Sequence, residues 1–530
     1  MPAADSAEWE LPKLRASFLF QDDFKYLSSD DQQASQDLAE FFDVKFYPYN
    51  PPGAPPVFAA TSKKHAVICR LTQTTDKDTN PCEIIQLIRD DSDDANCASC
   101  WSRDPVTQEP WLCIAGNDSN VKVYNVKQGR LVKTLVGHGG GINDLATSPD
   151  SPLIIASASD DTTIRIWSLA PAHDKQPCVC ILGGESHSYD LLSVAFHDNG
   201  RYVLSAGHDQ VINLWALPEF SAEHVDVPAV LIHPHFSSSE VHNNLVDCVA
   251  FHGDLILSRA CHEDTIVLWR IEGFSSADPI PGPLDAPTPT DMAKQTLSYF
   301  APTLSHDRPA MFTRLAQFHT PDCGVQFFMR FRVFHGPGRH PILAFANAKS
   351  KTFFWDFARF GSYREFMREL KEAQLKVGGV SRVAGGGGGS AGADENAMAK
   401  PSWLMVKRAK KTPANAVAAH AAAGGDGTSS LRSFALADKD SMVSASPDPE
   451  SGTSLGYSRE TLQAWAEMYD LSNPVGHVKA HRILGVDGGF VGRQVGWSPE
   501  GKWCVVVGNG NRALIYQRWG KERGVATVIA

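Results

Sequence analysis

Seven times along this chain, a short apolar strand is followed by a polar turn and a second strand that ends at a fixed aromatic or apolar position. The three clearest copies are SASDDTTIRIWSL (157–169), SAGHDQVINLWAL (205–217) and SRACHEDTIVLWRI (258–271). In each copy a Trp follows alternating β-branched residues, and an acidic residue stands six positions before that Trp. Such recurrence is typical of the blades of a β-propeller, in which every blade is one antiparallel sheet.

Four weaker copies of the pattern complete the series. They close at Cys69 in TSKKHAVICRL, Tyr124 in NDSNVKVYNV, Trp355 in NAKSKTFFWDF and Tyr516 in NGNRALIYQRW. Because seven such units make one full ring, the sequence predicts an all-β fold. The expected architecture is a seven-bladed WD40 β-propeller with helical and disordered insertions.

The polar residues of the three clearest repeats have a structural interpretation. In a WD-type blade the Trp packs where the third strand meets its neighbour, and the acidic turn residue can hydrogen-bond a His upstream. The chain offers three such pairs of His and Trp: His138 with Trp167, His187 with Trp215, and His242 with Trp269. Because they recur at equivalent blade positions, we interpret these residues as blade structure and not as a catalytic or metal-binding constellation.

The intervals between the closing positions predict the domain organisation. They are regular at first and then lengthen across 269–355 and 355–516, where insertions are expected. The stretch FARFGSYREFMRELKEAQLK has apolar residues at helical spacing, and the Gly/Ala/Ser-rich composition after it is typical of disorder. The predicted boundaries are an N-terminal extension at 1–40, the propeller at 41–519, a Pro-rich insertion between blades at 278–309, a short helical insertion at 357–377, a disordered insertion at 378–455 and a C-terminal tail at 520–530.

Charge and composition narrow the class of protein. The net charge of −11 argues against a nucleic-acid footprint over the whole surface, and no apolar run reaches membrane-spanning length. Eleven cysteines with almost no paired spacing indicate buried, reduced thiols in an intracellular protein. The basic run KRAKK at 407–411 is interpreted as a solvated charge cluster, and its alternatives are a nuclear import signal or a nucleic-acid contact.

Four stretches of the sequence depart from generic repeats in a way that points to one family. They are the stretches at 181–217, which carries Gly-Gly-Glu-x-His, at 241–271, at 323–334 (CGVQFFMRFRVF) and at 490–519, which begins FVGRQVGW. In this order they resemble the embryonic ectoderm development / extra sex combs family, the WD-repeat subunit of the Polycomb repressive methyltransferase complex. The resemblance runs from about residue 41 to 519, and the long Gly-rich insertion departs from the shorter animal members, as expected of a fungal-type member.

The resemblance implies a nuclear, non-catalytic protein that reads histone tails and supports a methyltransferase. The expected partners are the N-terminal segment of the catalytic subunit, a zinc-finger Polycomb subunit and a trimethylated histone H3 tail. No membrane partner and no direct sequence-specific nucleic-acid binding are expected. We also expect no cofactor, because AGGGGGSAG at 384–392 follows no apolar strand and therefore does not resemble a cofactor loop.

An aromatic cage for trimethyl-lysine at one mouth of the ring channel is a further implication. A quaternary ammonium donates no hydrogen bond, so selectivity comes from aromatic faces, each contributing about 0.5–2 kcal/mol. The family's adjacent Trp-Tyr pair falls on Phe327 and Phe328, and its N-terminal cage Phe falls on Phe42. Its fourth cage position, a Tyr, falls on Cys97, so either a nearby ring substitutes, the local alignment slips, or the cage is weaker. Arg493 matches a family Arg near the path of the peptide.

Core packing is the competing interpretation of these aromatic residues. A Phe pair at the start of a strand more often belongs to the core than to a ligand site. On a strand, the consecutive Phe327 and Phe328 would point to opposite faces, so one of them would face outward. The spacing Cys97-x-x-Cys100 is metal-like, but no second Cys or His pair stands near it in the sequence, so we expect no zinc site.

Two other functional classes compete with the histone reader. A generic WD40 adaptor, such as a substrate receptor of a ubiquitin ligase, would ignore lysine methylation and use Phe42, Phe327 and Phe328 for blade packing. Some propellers are hydrolases with catalytic groups around the channel. Blade structure accounts for the recurring His, Asp and Ser positions of this chain, so a screen for hydrolysis is expected to be negative.

Overall fold

The computed structural model describes residues 9–20, 40–72, 79–90, 95–184, 186–289, 295–301, 310–380, 400–404 and 457–518. Within these residues, seven sheets form the seven predicted blades. We number the blades by the order of their innermost strands along the chain, and the strands of each blade are given from the ring channel outward. The prediction of an all-β, seven-bladed propeller is therefore confirmed.

The strands of blades 1 to 4, from the channel outward, are β2 (Phe41–Phe46), β3 (Val57–Ser62), β4 (His65–Leu71) and β5 (Cys82–Arg89) in blade 1; β6 (Asn96–Arg103), β7 (Pro110–Gly116), β8 (Val121–Asn125) and β9 (Arg130–Leu135) in blade 2; β10 (Ile142–Thr147), β11 (Ile154–Ser159), β12 (Ile164–Ser168) and β13 (Cys178–Leu182) in blade 3; and β14 (Leu191–Phe196), β15 (Tyr202–Gly207), β16 (Ile212–Ala216) and β18 (Phe236–Ser238) in blade 4.

The strands of blades 5 to 7 are β19 (Val246–His252), β20 (Leu255–Ala260), β21 (Thr265–Ile271) and β23 (Phe312–His319) in blade 5; β24 (Arg332–Phe334), β25 (Ile342–Ala346), β26 (Lys351–Asp356) and β28 (Arg482–Gly485) in blade 6; and β29 (Gly492–Trp497), β30 (Trp503–Gly508), β31 (Arg512–Gln517) and β1 (Lys13–Leu19) in blade 7. Short 3-10 turns lie at Pro171–His173 and Pro283–Asp285.

The N-terminal segment closes the ring, and the predicted boundary of the propeller is wrong at this end. Residues 1–40 were expected to lie outside the propeller, but β1 pairs antiparallel with β31 and supplies the outer strand of blade 7, with Leu14 opposite Tyr516. The C-terminal part of the chain provides three strands of that blade, which leaves one edge unpaired. A strand from the other end of the chain satisfies the hydrogen bonds of this edge.

Both insertions occur near the outer edge of a blade, between its third and fourth strands, and not between blades. The Pro-rich segment lies inside blade 5, after its third strand, and it contributes β22 (Thr296–Ser298), which pairs with β18 of blade 4. The second insertion lies inside blade 6, between β26 and β28. Blades 3 and 5 likewise gain a fifth strand, from β17 (Ala229–Leu231) and β27 (His477–Val478). An outer edge tolerates insertions because little of the core depends on it.

The chain divides into two compact units, of which Ser362–Glu467 is the smaller. Helix α1 (Phe357–Val380) covers the predicted short helix and continues three residues past its expected end at 377, and helix α2 (Arg459–Tyr469) follows the insertion. Inside the smaller unit, the ring of Trp465 contacts Phe366 and Tyr457, with centroids 6.1 and 4.9 Å away. Most of the predicted disordered insertion, including KRAKK, lies outside the described residues. No described helix is both long and apolar enough to cross a bilayer.

The core lies between neighbouring blades, and the closing residues found in the sequence are its centre. All seven of them are on the third strands and are buried: Cys69, Tyr124, Trp167, Trp215, Trp269, Trp355 and Tyr516. The eleven cysteines are free thiols, and ten of them are buried, as expected for reduced side chains that pack as small apolar groups.

Blades 3, 4 and 5 each contain a hydrogen-bonded group of four side chains, as the sequence predicted for the His–Trp pairs. In blade 3, Trp167 Nε1 donates to Ser157 Oγ (2.8 Å), which is 2.6 Å from His138 Nε2, and His138 Nδ1 is 2.8 Å from Asp161 Oδ2. Burial raises the pKa of Asp161, but the interaction with His138 and the bonds from Thr163 and Gly139 together outweigh burial and hold the pKa below its usual range. These side chains are therefore engaged in blade structure.

Removing the acidic member of one group tests this assignment. We expect Asp161→Ala to lower the free energy of unfolding by about 2 kcal/mol, because buried His138 and the Gly139 amide lose their acceptor. Urea unfolding followed by circular dichroism measures the effect. Asp174→Ala, which removes an exposed carboxylate paired with Lys133, should shift the midpoint little. Equal shifts for the two variants would contradict the structural role of Asp161.

Candidate functional site

The residues singled out in the sequence meet at one mouth of the channel. Phe42 and Cys97 lie at the starts of β2 and β6, Phe327 and Phe328 precede β24, and Arg493 lies at the start of β29. The innermost strands all run in the same direction along the channel, so their starts share one end of the ring. We call the surface around Phe42, Phe327 and Phe328 the cage mouth.

Phe327 and Phe328 lie in a loop, so the expectation that they begin a strand is wrong. The next strand starts at Arg332, and Phe328 has a left-handed backbone with φ +56°. Because of this left-handed residue, the two side chains do not point to opposite faces as they would on a strand. The two ring centroids lie 4.9 Å apart, with the planes tilted by 41°. Phe327 is 42% exposed and Phe328 is half-buried. Both rings are therefore held together beside solvent, which core packing does not require.

Hydrogen bonds to blades 5 and 7 fix this strained loop. The amide of Met329 donates to Asp247 Oδ2 of blade 5 (3.2 Å), and the amide of Arg330 donates to the Arg493 carbonyl of blade 7 (2.7 Å). A left-handed conformation at a bulky residue costs about 1–3 kcal/mol and persists only where the surroundings hold it. The blades next to the loop thus determine the position of the two rings.

Arg493, which the resemblance places near the path of the peptide, makes contacts within the protein. Its Nη1 donates to the Phe327 carbonyl (2.7 Å), and its Nε donates to Glu40 Oε1 (2.6 Å). The guanidinium carbon lies 6.0 Å from the centroid of the Phe42 ring. Arg493 therefore ties the Phe327 loop to the beginning of blade 1, and it brings Phe42 into the same neighbourhood.

Cys97 provides no ring at the cage mouth, and its thiol points into the protein. The Sγ atom donates to the Ile142 carbonyl of blade 3 (3.2 Å). Burial raises the pKa of this thiol to about 12, so it is protonated at neutral pH and unreactive. At this position blade 2 contributes no ring to the cage mouth.

A layer of charged side chains lies inside the channel below the cage mouth, and sequence reasoning missed it. The layer comprises Asp43, Lys45, Asp144, Asp247, Arg259 and Arg330. Three carboxylates face three cations, so the layer carries no net charge. A signal was present in the sequence, because Asp43, Asp144 and Asp247 each interrupt an apolar innermost strand near its start.

Arg330 joins this charged layer to the Phe328 ring. Its Nη1 donates to Asp144 Oδ1 (3.2 Å) and its Nη2 to two carbonyls, those of Asn143 (2.8 Å) and Leu192 (2.7 Å). The guanidinium carbon lies 5.2 Å from the centroid of the Phe328 ring, which it supports from inside the channel. Burial lowers the pKa of Arg330, but Asp144 and Asp43 outweigh burial and hold it above its usual value.

The channel is open on the other side of this layer. A cavity of 590 Å³ is lined by innermost strands and the loops that follow them, and its aromatic walls include Tyr49, Trp101, Phe196 and Trp497. Among the described residues, no group of three or more His, Cys, Asp or Glu side chains could hold a metal ion. The cage mouth presents aromatic surface, and the layer below it presents paired charges.

Comparisons with known proteins agree on one family. The model for the WD domain, G-beta repeat, matches residues 129–168 and 176–216, and the model for the Polycomb protein EED insertion domain matches residues 429–470. A curated relative, Polycomb protein EED of Chaetomium thermophilum, is 72% identical over 569 aligned positions, which cover 99% of both proteins. Polycomb protein esc of Drosophila melanogaster is 30% identical over 285 positions, covering 50% of this chain and 59% of that protein.

Solved structures give the same result at the level of the fold. A chain in the crystal structure of the Chaetomium thermophilum polycomb repressive complex 2 is 71% identical, with a TM-score of 0.82, and the match covers 98% of this chain and 100% of that one. A chain in the structure of ctPRC2 in complex with H3K27me3 has the same identity, TM-score and coverage.

Proposed function

We propose, because this chain belongs to the EED family of Polycomb proteins, that it is the non-catalytic scaffold and histone-reader subunit of a Polycomb-type histone H3 lysine methyltransferase complex. In this role it binds a trimethylated histone H3 tail and supports the methylating activity of another subunit. The family assignment disfavours the generic WD40 adaptor, whose Phe42, Phe327 and Phe328 would serve packing alone.

One observation supports the reader function above all others, namely the pair of rings at Phe327 and Phe328. The pair stands on a left-handed loop beside solvent, with centroids 4.9 Å apart, and Phe42 lies within 6.0 Å of the Arg493 guanidinium that holds the same loop. Adjacent aromatic faces attract a quaternary ammonium through their quadrupoles and need no hydrogen bond from it. We therefore assign the trimethyl-lysine cage to Phe42, Phe327 and Phe328, with Cys97 at its non-aromatic side.

Arg493 has a supporting role in this proposal. Its side chain is engaged by the Phe327 carbonyl and by Glu40, so it positions the cage, and we keep its contact with the peptide as part of the proposal. The carboxylates near the mouth, among them Glu40, Asp160 and Asp190, favour the approach of a basic histone tail.

The scaffold function rests on family membership. We propose that the N-terminal segment of a methyltransferase subunit binds the face opposite the cage mouth, where the 590 Å³ cavity opens beside Tyr49 and Trp497. We also propose a zinc-finger Polycomb subunit as a partner and the nucleus as the location, because the complex acts on histones. Trimethyl-lysine binding can favour an active arrangement only if the peptide has different affinities for two states of the complex.

A calorimetric titration of the purified full chain tests the reader function. The titrants are a trimethylated and an unmodified histone H3 peptide of identical sequence, and we expect clear preference for the trimethylated one. Capture of the N-terminal segment of the methyltransferase is measured in parallel. Equal affinity for both peptides, in a chain that still captures that segment, would leave a scaffold without a reader. Loss of both activities would overturn the whole proposal.

A further inference from the structure

A histidine of blade 4 extends the row of rings at the cage mouth. His208 lies in the turn between β15 and β16, and its imidazole centroid is 6.3 Å from that of Phe327, with the planes at 81°. This is the edge-to-face arrangement that aromatic pairs prefer, at a separation within the usual 4.5–7 Å. The rings of Phe328, Phe327 and His208 therefore form a continuous series across the mouth.

The turn that carries His208 is fixed by hydrogen bonds to the segment 187–190. The His208 amide donates to the Asp190 carbonyl (2.9 Å). The next residue, Asp209, accepts from the Ser188 amide (3.0 Å) and pairs with His187 (2.9 Å). The imidazole is exposed, whereas the backbone that bears it is anchored. A ligand at the cage mouth would thus meet a ring that is already in place, so little freedom would be lost on binding.

The surroundings of His208 are acidic. Burial raises the pKa of Asp160 in blade 3, and Asp190 adds to this rise. The bond from Asn143 and the nearby imidazole of His208 act in the opposite direction, but the pKa stays above its usual value. Asp160, Asp190 and His208 therefore interact at the part of the mouth that faces Phe327. This environment is compatible with a cationic ligand beside the imidazole.

The equivalent turns of the neighbouring blades show what is particular to His208. The residue before the acidic member of the four-residue group is Asp160 in blade 3, His208 in blade 4 and His262 in blade 5. His262 is also exposed, but in the part of the chain that the structure describes it makes no ring contact with Phe327. Blade 5 thus offers a matched position without the contact.

We propose that His208 is a specificity residue of the trimethyl-lysine cage and supplies, from blade 4, aromatic surface that Cys97 does not supply from blade 2. This inference rests on the proposed reader function. The imidazole holds the Phe327 ring at its edge and adds its own ring to the wall that the methylated head meets. A fixed cation at the same position would compete for the Phe327 face and would repel a quaternary ammonium.

Four variants of the full chain test the proposal by calorimetric titration with trimethylated and unmodified peptides. His208→Asn removes the ring and should weaken binding of the trimethylated peptide about threefold, the effect of one exposed ring. His208→Phe should keep the affinity of the parent. His208→Lys should weaken binding about tenfold, since it removes the ring and adds a charge. His262→Asn, the same change at the matched turn of blade 5, should have no effect.

The outcomes separate the two proposals. If the parent prefers the trimethylated peptide and the three His208 variants bind as the parent does, the role of His208 is overturned and the reader function stands. If His208→Asn and His262→Asn weaken binding equally, the effect is a general one of the mouth and His208 has no particular role. If the parent does not distinguish the peptides, both proposals fall. Thermal unfolding of each variant ensures that only folded proteins are compared.

Discussion

Replacing Phe328 with Ala is expected to weaken binding of a trimethylated histone H3 peptide by about tenfold or more while leaving the propeller folded. The change removes one face of the ring pair and exposes the guanidinium of Arg330, which lies 5.2 Å from the Phe328 centroid. A desolvated aromatic ring contributes about 2 kcal/mol or more to holding a cation, and 1.4 kcal/mol corresponds to a factor of ten. An unshielded Arg330 would add repulsion of the methylated head.

The fold should survive because Phe328 is outside every strand and only half-buried. The Met329 amide donates to Asp247 and the Phe327 carbonyl accepts from Arg493, so neighbouring residues hold its left-handed backbone. An Ala at position 328 retains both bonds. Calorimetry gives the affinity, and the melting temperature should change by only a few degrees. Val325→Ala in the same loop, where the side chain is 74% exposed, serves as the control and should change neither quantity. Unfolding of Phe328→Ala, or parental affinity, would remove Phe328 from the cage.

The number of blades could be predicted from the sequence because each blade repeats the same local pattern of two strands and a polar turn. Every third strand carries a buried aromatic or apolar residue at its closing position, and this residue is a Trp in the clearest copies, such as Trp167, Trp215 and Trp355. The closure of the ring by β1 could not be predicted, since KLRASFL is mostly exposed and has no closing residue of its own. Its place depends on the free edge of β31, which lies at the other end of the chain.

The residues of the candidate site were found by resemblance, whereas their geometry came from contacts distant in sequence. Nothing near Phe328 in the sequence indicates a left-handed residue, because the partners that hold the loop are Asp247 and Arg493. His208 could not be identified from the sequence for the same reason. Its turn has the sequence of ordinary blade structure, and its contact with Phe327 exists only in the folded protein. Local patterns predicted the propeller, whereas the geometry of the proposed cage depends on which blades become neighbours.

Asp247→Asn is expected to lower the free energy of unfolding by about 3 kcal/mol or more. Arg259 is buried, and its Nη1 donates to both oxygens of Asp247 at 2.7 and 2.6 Å. Its Nε and Nη2 have no hydrogen-bond partner among the described residues, so the carboxylate is what compensates the charge. Burial lowers the pKa of Arg259 and Asp247 raises it above its usual value. Removing one partner of a buried pair costs about 3–5 kcal/mol, because the other charge stays buried.

A double substitution separates stability from cage geometry, since the same carboxylate accepts a hydrogen bond from the Met329 amide beside Phe328. The double variant Asp247→Leu with Arg259→Met removes both charges, and apolar side chains of similar size should restore most of the lost stability. The Met329 amide then has no carboxylate to bind, so the double variant should fold and yet bind the trimethylated peptide several-fold more weakly than the parent. Asp247→Asn keeps an acceptor oxygen and should bind better than the double variant wherever it is folded. Urea unfolding and calorimetry on the same samples give both quantities. A double variant with parental affinity would mean that the loop keeps its rings in place without Asp247, and the link between the charged layer and the cage would be wrong.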